Sequence, residues 1–190
     1  MKNLLFVLSS LILGTSISAQ SIETDTLKRR PRKELAFERI IKLKEDGALF
    51  VRLKTRNMTA EALEKVGKEA EAGKIRFKQA QENKILALSF ASTFDFCPVY
   101  FFYSDDSDHF RSGAFDQIQF VNENLDPIQR EINEHYALGA EIGRVNTDEG
   151  NSEIDLYSIL ILDEDLFQLN RPFPFYVPIS SVDKKFLSEP

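Results

Sequence analysis

Residues 96–104 read Phe-Cys-Pro-Val-Tyr-Phe-Phe-Tyr-Ser, apolar at consecutive rather than alternate positions. A strand with one wet face alternates, whereas one that is apolar on both faces is covered on both and lies inside a layered sheet. Upstream, residues 48–54 do alternate. Leu49, Val51 and Leu53 face one way, and Arg52 and Lys54 are expected to be partly exposed. Between the two runs lies the longest helical signal, residues 59–93. Leu63, Val66, Ala70, Phe77, Ala80, Leu88 and Ala91 fall close to one stripe, and Thr59 is a suitable N-cap. Strand, long helix and strand form a right-handed crossover between parallel strands. The pattern predicts an α/β fold.

The remaining segments extend that sheet. Residues 34–46 carry Leu35, Ala36, Ile40 and Leu43 at helical spacing, with Gly47 as a C-cap. Residues 117–121 (through Ile118 and Phe120), 136–145 and 156–162 read as strands, and 128–132 is ambiguous. Residues 173–178 can form only an edge strand or an extended tail, because their prolines cannot donate to a ladder. Gly67 and Gly73 mark a kink or a second start in the long helix, and Gly139 and Gly143 mark bulges or close packing. Residues 148–151 read as a loop. No internal repeat or second composition regime appears. Residues 34–190 are therefore expected to form a single α/β domain, a mixed sheet of about five or six strands preceded by an N-terminal helix.

Residues 1–19 have the layout of a cleaved signal peptide. Lys2 supplies the positive charge, Leu4 to Leu13 the apolar core, and Ala19 the cleavage point. The core is short for a membrane span. Removing it leaves no transmembrane segment, and no cysteine follows it to be acylated. The chain is thus expected to be exported, periplasmic or extracellular. Residues 20–33, with Lys28, Arg29, Arg30, Arg32 and Lys33, read as a flexible basic lead-in. Export bears on Cys97, the single cysteine. A lone thiol in an oxidising compartment is either buried or paired with another chain. Burial as a small hydrophobe is the favoured reading. The alternatives are a mixed disulfide and a nucleophile, for which His109 and His135 are the only imidazoles.

The run Gly47-Ala48-Leu49-Phe50-Val51-Arg52-Leu53-Lys54-Thr55, the long helix after it, and the string from Phe94 to Ser104 resemble a family of secreted bacterial proteins of unknown function. The Phe-x-Phe-Cys-Pro-Val-Tyr-Phe-Phe string is the most specific part. The resemblance implies export and no activity.

Charge is segregated along the chain. From Lys28 to Lys84 stand 17 basic and 9 acidic residues, and from Ile85 to Pro190 stand 6 basic and 19 acidic. Basic helices beside an acidic sheet rim would partly neutralise each other; a bipolar surface would instead bind a partner protein or a charged envelope polymer. No nucleic-acid partner is expected, given the net charge of −6 and the lack of a recognition motif.

Two acidic runs follow the two most apolar strands: Asp105, Asp106, Asp108 and His109 after the first, and Asp163, Glu164 and Asp165 after the second. Ligands of open α/β sheets bind beyond the carboxyl ends of strands. If the two strands are parallel, the runs share an edge, and Asp105, Asp106, Asp108, His109, Asp163 and Asp165 could hold Ca²⁺ or Mg²⁺ and activate water. If they are antiparallel, the runs lie on opposite edges. Solvated loops are the commoner outcome, and no cofactor is predicted. His135 reads as a hydrogen-bonded structural residue. Glu131, Glu134 and Glu141 are carboxylates that spacing alone cannot pair. Neither a Gly-x-Ser-x-Gly elbow nor a phosphate-binding glycine loop occurs. Phe173, Phe175 and Tyr176 either cap the sheet or form a partner-binding patch. The favoured function is a non-enzymatic binding or interaction module. A divalent-metal-dependent hydrolase built on the two acidic loops is the alternative.

Overall fold

A computed structural model describes residues 31–145 and 157–179. The expected signal peptide, residues 20–30 of the expected basic lead-in and the loop expected at 148–151 lie outside the described residues. Helix α1 (Arg32–Asp46) runs into β1 (Gly47–Leu53) with no intervening turn. Then come α2 (Asn57–Lys65), α3 (Glu69–Thr93), β2 (Val99–Tyr103), the short α4 (Ser107–Arg111), β3 (Phe120–Val121), β4 (Pro127–Ile128), β5 (Tyr136–Arg144), β6 (Tyr157–Leu162) and β7 (Tyr176–Pro178).

One mixed sheet of seven strands, in the order β4-β3-β2-β1-β5-β6-β7, carries the fold. β1 is parallel to β2 on one side and to β5 on the other. Outside this parallel core the pairings β2–β3, β3–β4, β5–β6 and β6–β7 are antiparallel. The strand count exceeds the expected five or six by β4, whose two residues, in a stretch that read as ambiguous, are too few to leave a periodic pattern.

The pleat of β1 sorts its side chains into two cores. Leu49, Val51 and Leu53 pack with Ala36 and Leu43 of α1 and Leu86, Ala87 and Phe90 of α3. Ala48 and Phe50 face the other way, with Phe102, Phe110, Ile118 and Phe120. Phe50 is fully buried, its ring centroid 5.3 Å from those of Tyr100 and Phe110 and 4.8 Å from that of Phe115. Aromatic contacts at these separations add to the area they bury. Helices α1 and α3 therefore cover one face, and α4 with the turn at Phe115–Gln117 covers the other. No described helix is long and apolar enough to cross a membrane.

Four expectations are corrected. Gly47 is not a C-cap but the first residue of β1. A Cβ there would lie 2.7 Å from Leu43 Cα, so only glycine lets the helix enter the strand directly. The start of the long helical signal is misplaced, while the second start expected at Gly67 or Gly73 is found at Gly67, with Gly73 inside α3. Gly67, at φ 78°, turns the chain between α2 and α3, and α2 begins at Asn57 rather than after Thr59. The apolar stripe is also out of phase. Val66 (68% exposed) and Phe77 (61%) face outward, while Ala72, Gln79, Asn83, Leu86, Ala87 and Phe90 face inward. Within α3 the expected stripe of Ala70, Phe77, Ala80, Leu88 and Ala91 is the exposed face, and two amides take interior positions that a hydrophobicity count assigns to solvent. Finally, residues 117–119 are not strand, because a 3-10 turn occupies Phe115–Gln117. Gly139 and Gly143 mark close packing, against Leu162 with Leu166 and against Leu160.

Candidate functional site

The carboxyl edge of β1, β2 and β5 is where polar side chains from distant segments meet. Arg52 is the one charged residue of β1. It stands on the α4 face, opposite Phe102 of β2. The parallel register that pairs Val51 with Ala140 brings Glu141 of β5 alongside it. Arg52 Nη1 donates to Glu141 Oε2 at 2.7 Å, and Arg52 Nε donates to Ser107 Oγ at 2.8 Å. The Ser107 hydroxyl in turn donates to the Ser104 carbonyl at 2.5 Å. Lys54 Nζ lies 3.9 Å from the other Glu141 oxygen, so that carboxylate faces two cations. The Arg52 and Glu141 side chains are 26% and 15% exposed, which makes the pair half-buried rather than a surface contact.

A second set of bonds ties the loop after β1 to the loop after β2. Thr55 Oγ1 donates to Asp105 Oδ1 at 2.9 Å, and Asn57 Nδ2 donates to Asp105 Oδ2 at 2.9 Å. Thr55 has one hydroxyl proton, so at the 3.3 Å contact between Thr55 Oγ1 and Ser104 Oγ the donor is Ser104. Arg56 between them adopts the left-handed conformation, φ 52°, and its carbonyl accepts the first amide protons of α2 from Thr59 and Ala60. From the other face, Asn83 Nδ2 donates to the Lys54 carbonyl at 2.8 Å while its own carbonyl accepts from Gln79 Nε2 at 3.1 Å. Gln79 Oε1 is buried without a partner among the described residues. Tyr157 opens β6 at this edge. Burial pushes its hydroxyl above the ordinary range, assisted by Glu82 and Glu141 and opposed by Arg56 and Arg144.

This arrangement fixes donors and acceptors, and the Ser107 hydroxyl is not paired with a base. The buried Ser107 hydroxyl accepts from a guanidinium and donates to a carbonyl. A nucleophilic serine needs a base at that position. What the edge presents is a set of pre-oriented polar groups drawn from β1, the β1–α2 loop, the β2–α4 loop and β5.

The two acidic runs do not converge. β6 is antiparallel to β5, and β5 is parallel to β1 and β2. Asp105, Asp106, Asp108 and His109 therefore follow β2 at the carboxyl edge, whereas Asp163 and Asp165 follow β6 at the opposite edge. The charges of Asp163 and Glu164 act there on Tyr136, the first residue of β5. Among the described residues no three His, Cys, Asp or Glu side chains group as a metal site. The carboxylates have local partners instead. Asp105 joins two loops, Asp106 Oδ2 accepts the Gln119 amide proton at 3.1 Å, Asp108 pairs with Arg111, and Asp163 Oδ1 accepts the amide protons of Asp165 and Phe167. The convergence on which the hydrolase reading depended is absent.

Other candidates settle individually. His135 Nδ1 lies 3.2 Å from Asp46 Oδ1 on the exposed surface. Glu134 accepts the Tyr100 hydroxyl proton at 2.9 Å, and the Tyr100 pKa is pushed up to about 12, first by burial and then by this carboxylate. Cys97 is half-buried, and burial raises its thiol to about 11, which keeps it protonated and weakly nucleophilic. Phe173 is buried in the main core, and Phe175 and Tyr176 are partly buried against the sheet, so these rings cap the fold rather than form an open patch.

Sequence reasoning left Arg52, Ser107 and Glu141 unconnected. One signal was present: a charged residue sits inside each of two otherwise apolar strands, and a charge in that setting needs a partner. Comparison of the chain with protein-family models, curated proteins and solved structures finds no match.

Proposed function

We propose that the chain is an exported, non-enzymatic binding module that works at the cell envelope or outside the cell. Its partner or ligand is held at the carboxyl edge of β1, β2 and β5. The observation that carries this reading is the convergence of two hydrogen-bonded sets, Arg52, Ser107 and Glu141 in one and Thr55, Asn57 and Asp105 in the other, joined through Ser104. Polar groups already held in place lose little freedom on binding, which favours recognition. The edge is also the usual ligand position of an open α/β sheet. Segregated charge in the sequence supports a charged protein or envelope polymer as the partner.

Two measurements test the reading. Fractionation of producing cells, with amino-terminal sequencing, is expected to find the chain outside the cytoplasm and beginning at Gln20. A photo-crosslinking side chain at Asn57 is expected to capture a discrete adduct in those cells, and the same group at Lys42 on α1 is not. Cytoplasmic protein retaining Met1 overturns the export reading. Equal capture from both positions, or none from either, overturns the binding edge.

A further inference from the structure

The outward side of α1 carries a strip of apolar and basic groups. Phe37 is 64% exposed, and Ile41, one turn further on, is exposed beside it. Lys33, one turn before Phe37, closes the strip at its amino end. Lys44 continues it beyond Ile41, and its Nζ lies over the Phe96 ring, 5.8 Å from the centroid. Phe96 is exposed in the loop before β2, and its ring meets that of Phe94, which packs on the main core and holds it in place. Lys33, Phe37, Ile41, Lys44 and Phe96 thus follow one another along a convex surface, three apolar side chains with two cations among them. Lys42, about 100° round the helix from Ile41, stands off the strip. The strip lies at the amino end of β1 and is separate from the carboxyl edge.

Charge selects the occupant. Glu34 and Glu45 flank the strip on the side away from Phe96, so α1 by itself is nearly balanced. The cation excess comes from the sequence directly before it. Residues 28–33 hold five basic side chains and no acid, and from Lys28 to Asp46 stand eight basic residues against four acidic, in a chain whose net charge is −6. An anionic surface therefore attracts this end of the chain and repels the remainder. A soluble polyanion would use the cations and leave Phe37, Ile41 and Phe96 in water. A neutral apolar partner would leave the cations unused. A bilayer with anionic headgroups takes both: phosphates meet the ammonium groups, and the rings reach the acyl boundary beneath them. Lysine suits this position because its stem lies along apolar surface while its charge stays in water. No described helix is long and apolar enough to cross the bilayer, so the contact is peripheral.

We propose that this strip docks the protein on a bilayer surface containing anionic lipid, with Phe37, Ile41 and Phe96 entering the headgroup region and Lys33 and Lys44 meeting lipid phosphates.

The chain has no tryptophan, so Phe37→Trp places a single reporter in the strip. The chain beginning at Gln20, the form that export leaves, is mixed with vesicles of equal parts phosphatidylglycerol and phosphatidylcholine, or of phosphatidylcholine alone. With the anionic vesicles, emission from position 37 is expected to shift to the blue and to be quenched by brominated lipid chains. About 0.5 M salt is expected to weaken the effect. Phe77→Trp, comparably exposed on α3, is expected to stay unshifted. In vesicle flotation, Phe37→Ser is expected to weaken binding about tenfold, and Lys33→Gln with Lys44→Gln about twentyfold, at unchanged melting temperatures. Emission indifferent to anionic vesicles, equal binding to phosphatidylcholine alone, or an equal shift from position 77 overturns the proposal. So does Phe37→Ser binding as tightly as the parent chain, which describes contact by charge alone. A blue emission that follows protein concentration and not vesicles places a second copy on the strip and also overturns it.

Discussion

Arg52→Met tests whether the half-buried pair at the carboxyl edge organises the loops there or merely decorates them. Arg52 makes two charge-assisted bonds, at 2.7 Å to Glu141 and 2.8 Å to Ser107. Exposed pairs contribute about 0.2–1 kcal/mol, and removing one member of a fully buried pair costs about 3–5 kcal/mol. With the side chains 26% and 15% exposed, this pair falls between those limits. Arg52→Met strands a carboxylate that keeps only Lys54 at 3.9 Å, and costs about 2 kcal/mol. Glu141→Gln keeps an oxygen for Arg52 and costs about 1 kcal/mol. The double variant removes the charge conflict, so the two costs are not additive and the coupling is about 1 kcal/mol. The assay is urea unfolding followed by circular dichroism for the four members of the cycle, at low salt and at about 0.5 M salt. For a domain of this size the Arg52→Met cost corresponds to a melting-point drop of about 4–8 °C. Additivity within about 0.3 kcal/mol would refute the reasoning, and so would a coupling that disappears in salt, since both describe a solvated surface pair.

Three further outcomes follow from the packing. Gly47→Ala places a methyl 2.7 Å from Leu43 Cα and 3.0 Å from the Tyr136 carbonyl oxygen, both backbone atoms, and is expected to destabilise by about 2–3 kcal/mol; a neutral effect in urea unfolding contradicts the direct α1–β1 junction. Phe50→Ala empties the centre of the α4-face core and is expected to cost about 3–5 kcal/mol, with Phe50→Leu costing less; a loss under about 1 kcal/mol in thermal unfolding contradicts the aromatic cluster. Cys97 and Tyr100 keep their protons to about 11 and 12 in the folded chain, and unfolding lets them ionise earlier. Their contribution is complete below the unfolded-state pKa values and is lost as pH rises, so the urea midpoint is expected to fall between about pH 8.5 and 12; a flat profile contradicts it.

What could be read from the sequence was what local chemistry decides. The apolar runs of β1, β2, β5 and β6 announce buried strands, and the span between Leu53 and Val99 is long enough only for a crossover, so the parallel pairing of β1 with β2 was foreseeable. Direction and distant pairing were not. Nothing in residues 157–162 states that β6 runs against β5, and that single fact separates Asp105 from Asp163. Arg52 and Glu141 lie 89 residues apart, and their contact depends on β5 taking the place beside β1. The α2–α3 break was visible as Gly67. The interior positions of Gln79 and Asn83 were not, because only the carbonyl of Lys54 explains why Asn83 lies inside.

The central strand comes first. β1 is complete by Leu53, but both of its ladder partners are encoded later, β2 after the long helix and β5 beyond Tyr136. A nascent chain that has emerged only to Thr93 contains α1, β1, α2 and α3 and not one strand pair. Loop closure over such separations is slow, so the sheet forms late relative to synthesis. On the reading that the chain is exported, this order keeps it threadable: the part that enters a translocation channel first has no ladder to pull apart. The same delay leaves Leu49, Phe50 and Val51 uncovered for longest, which makes β1 the segment where a chaperone would be needed.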